Sequence, residues 1–125
     1  MSKLSAVPTP PVVTVAELNA RADRILPQIA AGAAQRERDR QLPYEAVAQI
    51  AQAGLFTVRI PKRFGGAGGS VKDVIALLIR IASADSNVAQ ALRPGFGFVE
   101  GLLASRAEGR RRSASVGSGA TCKAP

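Results

Sequence analysis

The sequence contains no histidine and no tryptophan, and only one cysteine (Cys122), one tyrosine and four phenylalanines in 125 residues. Each shortage removes a class of chemistry. Without imidazole the commonest general base and metal ligand at neutral pH is missing. A single thiol cannot close an internal disulfide, and with no histidine beside it no zinc site can be built. So few rings leave the core to Ala, Leu, Ile and Val, a composition that favours helices over a β-sandwich. No run approaches the roughly 18 apolar residues of a membrane span. Residues 1–13 lack the charged-then-apolar layout of a signal peptide, so a cytoplasmic protein with no membrane partner is expected.

What is present is enough for one domain. The chain is 46% hydrophobic, but a domain of this size buries only about two-thirds of its unfolded surface. Its stability should gain from company, either as a homo-oligomer or with a partner chain. The formal charge of +8 raises nucleic acid as a partner, since clustered Lys and Arg displace counterions from phosphates. Half of that charge lies in residues 106–125, where five basic side chains face one acid, Glu108. A basic tail on a nearly balanced body is not a dedicated binding face, and Arg110–Arg112 lack the interleaved aromatics that stack bases.

Periodicity orders the middle of the chain into helices. Residues 1–13, with Pro8, Pro10 and Pro11, read as a disordered lead-in. Thr14-Val-Ala-Glu17 is a capping-box pattern. Behind it, Leu18, Ala22, Ile25, Leu26, Ile29 and Ala33 repeat every three or four residues along one helical face. Pro27 should kink that helix, and the charged run Arg36–Arg40 reads as its solvated end. Pro43 suits the start of a second helix with Tyr44, Val47, Ile50 and Ala51 inward, and Gly54 suits its stop. Leu55–Pro61 reads as a short extended segment and residues 62–69 as a flexible glycine loop. Ser70-x-x-Asp73 caps a third helix with Val71, Val74, Ile75, Leu77, Leu78 and Ile81 inward.

Asp85 or Ser86 caps a fourth helix through Val88, Ala89, Leu92, Phe96, Val99 and Leu103. Pro94, Gly95 and Gly97 should bend or unwind it. The expected fold is all-α, a small bundle of about four helices spanning residues 14–105, with disordered ends and a basic tail over 106–125. The loss of periodicity after Gly109 also fits a truncation or a change of reading frame.

The residues that carry chemistry are few. Gly65–Gly69 lacks the Gly-Lys-[Ser/Thr] ending of a phosphate loop, because Gly69-Ser70-Val71-Lys72 puts the lysine out of place. Arg59, Lys62 and Arg63 read as a solvated loop rather than a phosphate site. Asp73 is accounted for by capping and Glu45 by the dipole at a helix start. Glu100 has no visible acid–base partner, so no catalytic residue is assigned.

Three stretches in order carry a resemblance. Leu42-Pro43-Tyr44-Glu45 leads through Ala53-Gly54-Leu55-Phe56 to Ile60-Pro61. Phe64-Gly65-Gly66-Ala67-Gly68 and Ile81-Ala82-Ser83-Ala84-Asp85-Ser86-Asn87 follow. Together they resemble the amino-terminal helical domain of the acyl-CoA dehydrogenase superfamily. Within it, Arg93-Pro94-Gly95-Phe96-Gly97-Phe98-Val99-Glu100 is similar to flavin-dependent monooxygenases of sulfur compounds, which often carry histidine where Gly95 stands. The resemblance implies a domain that supplies one wall of a substrate pocket, with Leu92, Gly95 and Phe96 as candidates for that wall.

It further implies that a β domain and a second helical bundle hold the FAD or FMN and the catalytic glutamate. This chain would then bind no flavin and be inactive alone. The substrate implied for the complete enzyme is a fatty acyl thioester or a sulfur-containing aromatic. Two alternatives come from other classes, a small basic protein binding nucleic acid through its tail and a helical interaction subunit of another enzyme.

Overall fold

The computed structural model describes residues 13–118, and its elements are helices throughout. Four α-helices follow one another: α1 (Val15–Arg38), α2 (Tyr44–Gln52), α3 (Val71–Ala84) and α4 (Ser86–Ser118). Two 3-10 turns, Leu55–Thr57 and Lys62–Phe64, fill the long connection between α2 and α3. α3 is the centre of the bundle, packed on one side by α1 and most extensively on the other by α4. The expected lead-in lies, apart from Val13, outside the described residues.

Each helix begins for a local reason. The Thr14 hydroxyl accepts from the Glu17 amide, but the Glu17 carboxylate turns outward to Arg21 at 2.8 Å, so the first box is only half made. Ser70 and Asp73 close both halves of theirs. Gly54 stops α2 with φ +76°, a left-handed conformation that glycine enters without steric cost. Arg40 takes the same region at φ 51° beyond α1, where the Gln41 amide bonds back to the Arg36 carbonyl at 2.9 Å. That is a glycine-type helix cap made by an arginine.

The interior is aliphatic, with one aromatic ring, that of Phe96. Leu18, Leu26 and Ile29 of α1 meet Leu77 and Ile81 of α3, and Val88, Leu92 and Phe96 of α4 close the far side. Ile50, Leu55 and Val58 seal the α2 end of this core. Polar ties fix the elements around it. Arg21 donates to the Ala53 carbonyl at 3.1 Å, joining α1 to the end of α2. Arg80 of α3 reaches Asn19 and Asp23 of α1.

Several expectations need correction. α4 is not unwound at Pro94, and α1 likewise runs unbroken through Pro27; both prolines are exposed, so water can serve the carbonyl that each leaves unpaired. Tyr44 (76% exposed) and Ala51 face outward, and α2 buries Ala46 and Ile50 instead. Leu55–Pro61 is not an extended segment: it opens with the 3-10 turn Leu55–Thr57 and continues through a turn and bend at residues 58–60. Val71 and Ile75 stand half exposed on α3, whose buried side is Val74, Leu77 and Ile81. α4 stays helical through the stretch expected to be a tail, as far as Ser118, although beyond Ala107 no described side chain is even partly buried.

Candidate functional site

The glycine loop is built into the fold rather than hung between helices. The amides of Gly65, Gly66, Ala67, Gly68 and Gly69 all donate to carbonyls of residues 57–62, at 2.7–3.3 Å. Gly66 is buried, and a Cβ there would overlap the Ile60 carbonyl. Gly69 lies against the Val58 carbonyl, which a Cβ would meet at 2.7 Å. The expectation of a flexible loop is therefore replaced by a folded strap, drawn down because glycine lets backbone meet backbone.

The strap and the turn before it face the middle of α4. The Phe56 ring, from the first 3-10 turn, packs on Phe96 with centroids 5.4 Å apart. Arg59 reaches across to Glu100, with Nε 2.6 Å from Oε1, and also donates to the Gly69 carbonyl at 3.3 Å. Glu100, for which the sequence showed no acid–base partner, is thus tied up as the anchor between strap and helix. Beyond this anchor the two elements separate into a groove of about 500 Å³. Ile60, Pro61 and Phe64 form one bank, Val99, Leu102 and Leu103 the other, and Arg106 stands at its end. The guanidiniums of Arg63 and Arg106 both lie over the Phe64 ring, 4.9 Å from its centroid.

The three wall candidates fall in two environments. Leu92 and Phe96 are core residues, 3% and 4% exposed. Gly95 is exposed, and a Cβ added to it would come 3.5 Å from the Phe56 ring, an ordinary contact. None of the three lines the groove, whose α4 bank begins about one turn further on. Val99 and Leu103 were legible from helical spacing, but the opposing bank was not. Only the strap's backbone bonds bring Ile60, Pro61 and Phe64 alongside α4.

In a second polar cluster the cap expected at Asp85 is present, but its pairing with Arg36 escaped the sequence reading. Asp85, 7% exposed, caps α4 by accepting from the amides of Asn87 at 2.9 Å and Val88 at 3.3 Å. Its other oxygen takes Arg36 Nε at 3.1 Å and Nη2 at 2.8 Å. Arg36 is therefore not part of a solvated helix end. It folds back past Gly32, where any Cβ would collide with it, and also donates to the Ile29 carbonyl at 2.6 Å. Burial pushes the Asp85 carboxyl up, but the Arg36 and amide hydrogen bonds outweigh it and hold the group below its ordinary 3.8. Asp73 is lowered too, chiefly by the Ser70 amide and then its hydroxyl. Both roles are architectural.

Residues 17–107 match the family described as acyl-CoA dehydrogenase, N-terminal domain. The chain belongs to that family. Two curated relatives agree with the assignment. Over 89 residues this acyl-CoA dehydrogenase N-terminal domain is 39% identical to an L-evernosamine nitrososynthase of a Micromonospora species, covering 70% of this chain and 20% of the relative. Over 75 residues it is 39% identical to the amino sugar nitrososynthase RubN8 of Streptomyces rubradiris, covering 59% and 18%. The chain thus spans about a fifth of the length of the curated relatives it matches. No solved structure matches significantly.

The family is flavin-dependent, but the glycine strap does not fit a flavin's phosphates. A phosphate cradle needs free backbone amides, and the glycine strap spends all of its own on carbonyls of the preceding turn. Among the described residues no cluster of His, Cys, Asp and Glu could hold a metal, and no helix is long and apolar enough to cross a membrane.

Proposed function

We infer that this domain forms one wall of the substrate pocket in a cytoplasmic flavin-dependent oxidoreductase. FAD or FMN and the reacting groups would be held by parts of the enzyme outside residues 17–107. The observation that carries this reading is the family match, which covers nearly all of the folded body. Two features support it. Glu100, Asp73 and Asp85 are each engaged in holding the fold. The half-exposed apolar line Val71, Ile75 and Ile79 on α3 suits a domain that packs against more protein, whether the rest of its enzyme or a second subunit.

The wall itself is the exposed side of α4 around Gly95, with Leu92 and Phe96 positioning it from the core. Glycine at that place would contribute space and no polar contact. For the substrate of the complete enzyme, the relatives' names favour an amino sugar over the acyl thioester or sulfur-containing aromatic considered from sequence.

A chimera tests this directly. Residues 17–107 would replace the matching segment of the Micromonospora nitrososynthase, and bound flavin would be measured by absorbance after gel filtration. The expected result is a soluble chimera with the parent's flavin content. A chimera that is helical by circular dichroism and elutes normally, yet has lost its flavin, would count against the reading.

A further inference from the structure

We propose that the groove between the glycine strap and the middle of α4 is a docking site for an acidic amphipathic helix of a partner protein. This goes beyond the pocket-wall reading and does not depend on it. The groove runs along α4 from Val99 to Arg106, about two turns, and its accessible lining is almost wholly apolar. Leu102 (52% exposed) and Phe64 (53%) face it from opposite banks, Phe64 carrying only the two guanidiniums described above. A helix laid in such a groove would insert side chains at i, i+3 or i+4, and i+7.

Charge specifies the rest of the occupant. Lys62 and Arg63 rise from the strap bank, and Arg106 and Arg110, one helical turn apart, rise from the other. Among the described residues no carboxylate pairs with any of these four, because the nearby Glu100 is taken by Arg59. Two of the guanidiniums rest on a single phenyl ring. Like charges held this close favour a partner that brings carboxylates to both flanks. An RNA strand is a poorer match. The single ring is already covered by guanidiniums and leaves no free face for a base to stack on.

The probe is a fluorescein-labelled peptide of about 14 residues, roughly 21 Å long as a helix. It carries Leu and Ile at one-face spacing and Glu elsewhere, and binding to the full 125-residue chain is read by fluorescence anisotropy. Two control peptides accompany it, one with the same composition scrambled and one with Lys in place of every Glu. The expected result is saturable binding that both controls lose by at least about tenfold. Leu102→Asp and the double change R63E/R106E should each weaken it by a similar factor, with the α-helical signal of each variant unchanged. Equal binding of the scrambled peptide would overturn the proposal, since attraction would then be to charge alone. So would full binding to Leu102→Asp, preferential binding of mixed-sequence RNA, or self-association of the chain that Leu102→Asp abolishes.

Discussion

Asp85 is the residue on which most of the polar architecture converges. It caps α4 and also closes a buried ion pair with Arg36, so one carboxylate joins the end of α1 to the α3–α4 junction. Asparagine is itself a good cap, so Asp85→Asn isolates the ion pair. Removing one partner of a buried pair costs about 3–5 kcal/mol. The lower end applies here, because the Arg36 side chain keeps 20% of its surface in water. Asp85→Ala should cost about 1 kcal/mol more through the lost cap. Urea unfolding of the three proteins at pH 7 measures both steps.

The sign of the pH dependence follows from the lowered carboxyl. A folded-state value below the ordinary 3.8 means that the stabilisation is fully present above that value and drains away as pH falls through the folded one. Asp73 shifts in the same direction. Wild-type stability should therefore fall between about pH 4 and pH 2, and more steeply than that of Asp85→Asn. Parallel curves would mean that the pair does not contribute as described.

At the scale of elements, glycines with opposite reasons for being glycine make the sharpest contrast. In the strap, Gly66 is required because a Cβ has no room beside the Ile60 carbonyl. In α4, Gly97 has nothing within reach of a Cβ, so it carries only the conformational cost of glycine in a helix. Gly97→Ala should stabilise by about 0.5–1 kcal/mol. Gly66→Ala should destabilise by about 1–3 kcal/mol, as a forced overpacking does. Thermal melts followed by circular dichroism read both, and a neutral Gly66→Ala would mean that the strap is not seated as drawn.

What the sequence disclosed about the elements divides along the same line. Four helices, the Ser70 cap and the Gly54 stop were legible because each is a local pattern of three to five residues. The inward faces of α2 and α3 were less so. Apolar residues such as Tyr44, Ile75 and Ile79 widen the stripe beyond what this domain can cover by itself, and periodicity cannot say which edge is left out. The strap was read as a flexible loop because its glycines signal freedom, whereas here they allow close contact with residues 57–62. Arg36 and Asp85 are 49 residues apart, and no local signal pairs them. The groove depends on the same kind of distant meeting, so only its α4 bank could be foreseen.

As a whole molecule, the chain is a helical body that leaves apolar surface half exposed on α3 and along the groove, and in which Glu100, Asp73 and Asp85 are engaged in holding the fold. On the function proposed above, such a body shapes a pocket and leaves the redox chemistry to another part of the enzyme. The most direct measurement adds FAD or FMN to the purified 125-residue chain, follows visible absorption after gel filtration, and assays turnover of an amino sugar with reduced flavin. The expected result is colourless protein and no turnover above that of free flavin. A yellow complex at one flavin per chain, or steady turnover by this chain alone, would contradict the assignment of a pocket wall without chemistry of its own.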